Sequence, residues 1–298
     1  MPQFSFVVLG VSLVALPLAA QEGRTRIDTT FAFNQTGNVE LSLVSGEIRV
    51  TTWDRNEVRV LATTERGTIV PTFSSNRLSL EARSVDRRLG PTRYEVTVPA
   101  GVRVRAKAVS GDISVSGTKG ELDLSSVSGD IEATDGTGRI EVQSVSGDLS
   151  ARRLDGRMDF STVSGSVDAD EVKGEFAVKS VSGRVRLDRA ALTMLRSSSV
   201  SGSFELSGSL AADSRSSVET HSGTVTLRVP SSFAASVDME TWSGELSSDF
   251  PVTLQPGMSQ SRRRLDVAVN GGGARLTVKT FSGDIFLRKT DAATRREN

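Results

Sequence analysis

The stretch Gly120-Glu121-Leu122-Asp123-Leu124-Ser125-Ser126-Val127-Ser128-Gly129-Asp130-Ile131-Glu132-Ala133 decides the fold, and Arg139-Ile140-Glu141-Val142-Gln143-Ser144-Val145-Ser146-Gly147-Asp148-Leu149-Ser150-Ala151 repeats it. Each copy holds two short alternating runs. Leu122 and Leu124 take one parity while Glu121, Asp123 and Ser125 take the other; further on, Asp130 and Glu132 oppose Ile131 and Ala133. Alternation with a period of two marks a half-buried strand. The inward parity is even at Leu122 and Leu124, odd at Val127, Ile131 and Ala133, and even again at Ile140 and Val142. A strand changes face only through a bend or bulge. Bends are therefore expected near residues 126–129 and 136–138, where glycine permits backbone angles that other residues resist.

The unit recurs along the chain. Gly111, Gly129, Gly147, Gly165 and Gly183 are 18 residues apart, Gly202, Gly223, Gly244 and Gly283 follow at wider intervals, and Gly46 precedes them. A fixed period of this size implies stacked structural units that bury a continuous core. Two strands and two corners per unit make one coil. The expectation is an all-β, parallel β-solenoid: a flattened two-sheet β-helix of about 18–21 residues per coil, with strands ~4.8 Å apart. About ten such coils would give a rod on the order of 50 Å long. A hexapeptide solenoid also has 18 residues per coil, but stepping by six from Val127 meets Ala133, Arg139 and Val145, and Arg139 breaks the rule.

The remaining segments frame the array. Residues 1–20 contain an apolar run, Phe4 to Leu18, ending in Pro17-Leu18-Ala19-Ala20-Gln21, and read as a secretory signal peptide. Residues 21–100 read as N-terminal strands and a small β cap protecting the end of the solenoid from edge-to-edge pairing. Residues 101–288 form the repeat domain, with an insertion at 247–272, and residues 289–298 a polar tail.

Composition narrows the function. The 298 residues carry 36 basic and 36 acidic side chains, so no strong field gathers nucleic acid. With no cysteine, disulfides and thiolate metal sites are impossible. After removal of the leader no further apolar segment is long enough for an integral membrane span. No phosphate loop, zinc motif or nucleophile elbow occurs.

Few residues offer chemistry. His221, the single histidine, occupies the repeat position of Val109, Val127, Val145, Val163, Val181, Val200, Trp242 and Phe281. It reads as a partly buried corner side chain, since no nucleophile and carboxylate of a triad accompany it. Asp112, Asp130 and Asp148 follow the Ser-Gly in three successive coils and read as caps of turn N–H groups; a row binding a divalent cation is the sharper alternative. Asp123, Glu141 and Asp159 form an outward acidic stripe. Trp53, Trp242 and Tyr94 are the remaining large aromatics with a polar handle, and none stands out as a sugar platform.

The Val-Ser-Gly-Asp-Ile units at 109–113 and 127–131, Phe281-Ser282-Gly283-Asp284-Ile285, the Trp53-Asp54 turn after Ile48-Arg49-Val50, Val98-Pro99-Ala100-Gly101 and Phe250-Pro251 carry a resemblance. Together, over residues 37–288, they resemble a bacterial adhesin-like β-strand repeat domain of unknown function. The resemblance implies a parallel β-solenoid in exported or envelope-linked proteins and supplies no catalytic residue. The reading is an exported, non-enzymatic protein of the periplasm, cell envelope or extracellular space, without a cofactor, acting as an adhesin or scaffold toward an envelope protein or a surface glycan. A sensor working through the cap or the insertion, and a carbohydrate-active β-helix enzyme, are the alternatives.

Overall fold

A computed structural model describes residues 25–83, 90–251 and 263–290. The expected signal segment, residues 252–262 of the expected insertion and residues 291–298 of the expected tail lie outside the described residues. Every element within them is a strand. The N-terminal part contains β1 (Thr25–Ala32), β2 (Asn38–Trp53), β3 (Glu57–Thr64), β4 (Thr68–Phe73), β5 (Arg77–Arg83) and β6 (Thr92–Pro99). The array opens with β7 (Arg103–Ser116). It continues as long–short pairs: β8 (Leu122–Ser128) with β9 (Ile131–Thr134), β10 (Thr137–Ser146) with β11 (Leu149–Arg152), and β12 (Asp155–Ser164) with β13 (Val167–Asp170). Then come β14 (Lys173–Ser182), the double-length β15 (Val185–Ser201), β16 (Phe204–Leu210), β17 (Arg215–Ser222) and β18 (Val225–Pro230). The C-terminal part holds β19 (Ala235–Ser243), β20 (Leu246–Ser248), β21 (Arg264–Val269), β22 (Ala274–Ser282) and β23 (Ile285–Thr290).

Each coil gives one strand to each of two parallel ribbons. Leu122, Ile140, Met158 and Phe176 are in register in one ribbon, and Ile131, Leu149, Val167 and Val185 in the other. These side chains are buried between the ribbons, and each of the larger ones contributes about 1.5–3 kcal/mol. The fold is thus the all-β, mostly parallel solenoid that the repeat implies. Where the spacing widens from 18 to 19, between Gly183 and Gly202, a register shift at Gly174/Glu175 absorbs the extra residue in β15.

One expectation about the corner is corrected. The parity argument placed Val127 inward with Ile131 and Ala133, but Val127 is 48% exposed, and the buried corner residue is Ser126. The pattern repeats with Ser144, Thr162 and Ser180 inside and Val145, Val163 and Val181 outside. The cause is the tight turn at the following glycine. Two of these corner hydroxyls bond a glycine carbonyl of the neighbouring coil, Ser126 Oγ donating to Gly111 O at 3.3 Å and Thr241 Oγ1 to Gly283 O at 3.0 Å, while those of Ser144, Thr162 and Ser180 are buried without a partner.

The two ends do not follow chain order. At the N-terminal end β2 lies between β7 on one side and β5 and β6 on the other, so the strands at residues 77–83 and 92–99 are outside the coil of residues 38–53. Antiparallel strands then cover them: β4 on β5, and β3 on β6, with β1 on β3. Tyr94, fully buried there, donates its hydroxyl to Ser42 O at 3.2 Å, and burial pushes the phenol far above its ordinary range. At the C-terminal end β22 lies between β17 and β19, and β23 between β18 and β20; β21 covers β19 antiparallel.

Candidate functional site

The corner glycines stack into a column that runs the length of the solenoid. A Cβ on Gly129 would lie 2.3 Å from Gly111 O, one on Gly147 2.3 Å from Gly129 O, and one on Gly283 2.0 Å from Gly223 O. The column therefore admits only glycine, and it fixes everything beside it at one residue per coil.

The residue two positions before each glycine turns outward. In spatial order this gives a ridge of Val44, Val109, Val127, Val145, Val163, Val181, Val200, His221, Phe281 and Trp242. The nine apolar members are 46–61% exposed. His221 is likewise exposed rather than partly buried, which corrects the sequence expectation. The residues on either side of the ridge are paired from coil to coil, while the ridge residues themselves stand clear of the ladder. Ten half-exposed side chains in line make an apolar strip of several hundred Å², the order of the largest such patch on an ordinary monomer and of the size that marks interaction sites.

The aromatic end of the ridge is ordered. His221 and Phe281 stack with ring centroids 5.0 Å apart, Phe281 and Trp242 at 6.2 Å, and in both pairs the planes are within 2°. The Arg263 guanidinium lies over Trp242, 5.1 Å from its centroid. The rings thus turn their faces to one another and their edges outward. Beside them runs a row of Glu219, Lys279 and Glu240, in register, with Lys279 Nζ 3.7 Å from Glu240. The two rows bound an open groove of about 800 Å³.

The aspartate row has a defined structural role. Asp112 Oδ1 accepts the Asp130 N–H at 2.9 Å, Asp130 Oδ1 accepts the Asp148 N–H at 2.8 Å, and Asp148 Oδ1 accepts the Ser166 N–H at 2.7 Å. Asp284 does the same for the Glu245 N–H at 2.8 Å. Each carboxylate thereby bonds the backbone of the next coil, and among the described residues no group of acidic or histidine side chains is arranged to hold a metal ion. The stripe of Asp123, Glu141 and Asp159 is paired with Arg105 at 2.7 Å, Arg139 at 3.6 Å and Arg157 at 3.3 Å. Trp53, the last residue of β2, donates its indole N–H to Glu57 O at 2.7 Å, beneath Arg55, across the turn into β3.

Sequence reasoning missed two features. The hydroxyl column was visible as Ser or Thr three positions before each corner glycine from Gly129 onward, masked by the more apolar residue beside it. The second corner places Asp135, Arg153, Glu171 and Arg189 at φ between 47° and 56°, a left-handed conformation that ordinarily favours glycine. Opposite charges link the coils there. Arg153 holds Asp135 with two bonds, of 2.6 and 2.9 Å, and keeps its carboxyl below the usual range, and Arg189 bonds Glu171 at 3.1 Å. An alternating acid–base series at 18-residue spacing was the available signal.

Fold and surface together define a repetitive β-solenoid that presents a linear apolar ridge. The chain belongs to the Toastrack DUF4097 family, which it matches over residues 34–176 and 156–288. A comparison with curated proteins found no match. Among solved structures it is similar to a candidate adhesin from Bacteroides fragilis, with 11% identity, 88% of this chain and 97% of the other covered, and a TM-score of 0.45. It is also similar to a candidate cell adhesion protein from Clostridium sporogenes (9% identity, 89% and 100% covered, TM-score 0.23) and to a candidate lipid-binding protein from Parabacteroides distasonis (7% identity, 89% and 97% covered, TM-score 0.30).

Proposed function

We propose that this protein is a non-enzymatic, adhesin-like scaffold of the bacterial envelope, which binds a protein partner along the ridge from Val44 to Trp242. The observation that carries the reading is the ridge itself. Its valines contribute little to the core, and every coil repeats the exposure. One apolar side chain per coil distributes binding over many small contacts, each apolar atom group adding about 25 cal/mol per Å² removed from water. The apolar leader at residues 1–20 supports export.

Ring geometry favours a protein over a glycan. Sugar C–H groups pack on open aromatic faces, and here Phe281 is stacked between His221 and Trp242, Trp242 lies between Phe281 and Arg263, and Phe281 takes one face of His221. The groove also favours binding over catalysis. Its two carboxylates, Glu219 and Glu240, have Lys279 between them, where the scissile bond of a glycoside would have to sit.

The test is binding of purified protein to intact cells of the source bacterium. Replacing Val127, Val145 and Val163 with serine leaves the buried rows in place, so thermal stability is expected to change little. Cell binding should fall at least severalfold, while Asp123→Asn with Asp159→Asn should leave it unchanged. Unaltered binding by the serine variant would dismiss the ridge as the contact surface.

A further inference from the structure

The strand order at the C-terminal end points to an exchange site. β22–β23 follow β19–β20 in the chain, yet they lie between β19–β20 and β17–β18, hydrogen-bonded on both edges. The slot they fill is chemically matched to them. Its walls present Glu219 and His221 on one side, and Glu240 and Trp242 on the other; the occupant presents Lys279 and Phe281. Were β19 to pair directly with β17, Glu240 would face Glu219, a destabilising like-charge pair. Lys279 between them gives alternating charge, and Phe281 completes the aromatic stack. Electrostatics thus selects an order that the sequence does not follow.

The linker to this occupant is short and conformationally demanding. Asn270, Gly271, Gly272 and Gly273 have φ of 47°, 82°, 85° and 143° in succession. The Asn270 side chain donates to Ser231 O at 2.8 Å and to Phe233 O at 2.7 Å, anchoring the near side of the hinge over the start of β19. Glycine adopts such angles without strain, so the feature this hinge shares with linkers through which identical elements exchange between copies is its shortness.

We propose that the slot between β17–β18 and β19–β20 is a strand-acceptor site, and that residues 274–290 of a second copy of this chain can occupy it by reciprocal exchange. Every hydrogen bond, ion pair and ring stack of the inserted coil recurs in the exchanged pair. The two states then differ only in the hinge and in the entropy of association, so concentration decides between them. The proposal is independent of what the ridge binds.

The chain has no cysteine, which makes a disulfide assay clean. Ser217 and Thr277 are directly opposite across β17 and β22. Full-length Ser217→Cys and Thr277→Cys proteins would be mixed, unfolded, refolded together and oxidised. The expected result is a disulfide-linked heterodimer whose fraction rises with concentration, severalfold above either single variant alone. Adding Lys279→Glu to the Thr277→Cys chain should lower that yield several-fold. Deleting Gly271 and Gly272 should shift the balance to dimer at all concentrations. Heterodimer no greater than in the single-cysteine controls, with the double variant Ser217→Cys, Thr277→Cys yielding only internally linked monomer, would overturn the proposal. The intact-hinge mixture decides alone should the shortened hinge prevent folding. Linkage to an added foreign strand in preference to the second copy would overturn the assignment of the occupant.

Discussion

Replacing Gly147 with alanine adds one methyl group at the most crowded point of the solenoid. The new Cβ would stand 2.3 Å from Gly129 O, 2.7 Å from Gly129 C and 3.2 Å from Gly129 N. All three are backbone atoms of the coil beneath, clamped by hydrogen bonds on both sides, so none can swing away. Gly147 also has φ of 142°, which costs a residue with a side chain about 1–3 kcal/mol. Forcing the coils apart to relieve the overlap would stretch bonds such as the Gly129 N–H to Ser146 O, already 3.2 Å. Strain and overlap together predict a loss of about 3–5 kcal/mol, within the range for diagnostic single substitutions. Gly271→Ala separates the two terms: its φ is 82°, but nothing lies within 4 Å of its Cβ, so only the backbone cost remains, about 1 kcal/mol. Urea denaturation of both variants, followed by far-ultraviolet circular dichroism, measures the difference. Equal destabilisation of the two would refute the stacked-glycine account, because only Gly147 has a coil beneath it.

Three further outcomes are expected. Thr162 is buried with no partner for its hydroxyl, whereas Thr241 donates to Gly283 O at 3.0 Å; Thr162→Val should leave stability unchanged or raise it, and Thr241→Val should lower it by about 1 kcal/mol in the same assay. Asp238 faces Asp266 across β19 and β21, and burial, with the neighbouring carboxyl next, raises its pKa in the folded state. A raised carboxyl pKa means stability present at low pH and lost as pH rises through the folded value, so Asp238→Asn should stabilise the protein at pH 7, with the gain vanishing below about pH 4 in a pH series of thermal melts. Because the Asp112, Asp130 and Asp148 carboxylates already serve backbone N–H groups, a chelator should leave the melting temperature where it was, while Asp130→Ala should lower stability by about 1 kcal/mol.

What the sequence made legible follows from what a period-two pattern encodes. Leu122, Leu124, Ile131 and Ala133 announce two strands and the side each buries, and the recurring glycine marks the corner between them. The corner interior was not legible, because apolarity ranks Val127 above Ser126 as a core residue. The turn at the stacked glycine reverses that ranking, and hydrogen bonding does not, since the hydroxyls of Ser144, Thr162 and Ser180 are buried without a partner. The exposed valines then read as waste in a folding argument and as a surface in a functional one. Nor was the order of coils legible, since residues 215–223, 235–244 and 274–283 follow the same alternation and fit one another equally well by pattern. Only the charges distinguish them, Lys279 being basic where Glu219 and Glu240 are acidic.

Both ends solve the same physical problem in the same way. In a stack of units that touch only their neighbours, the last unit has one bonded edge, so it opens first. Here the coils nearest the ends of the described sequence, residues 38–53 and 274–290, are each one layer in, bonded on both edges. The outermost parallel strands, at residues 77–83, 92–99 and 235–248, are interior to the described sequence. Antiparallel strands then cover their outer edges, β3 and β4 at one end and β21 at the other. The arrangement requires that the slot for residues 274–290 be recognised by its walls rather than by position in the chain, which is the property that makes the same slot open to a second molecule.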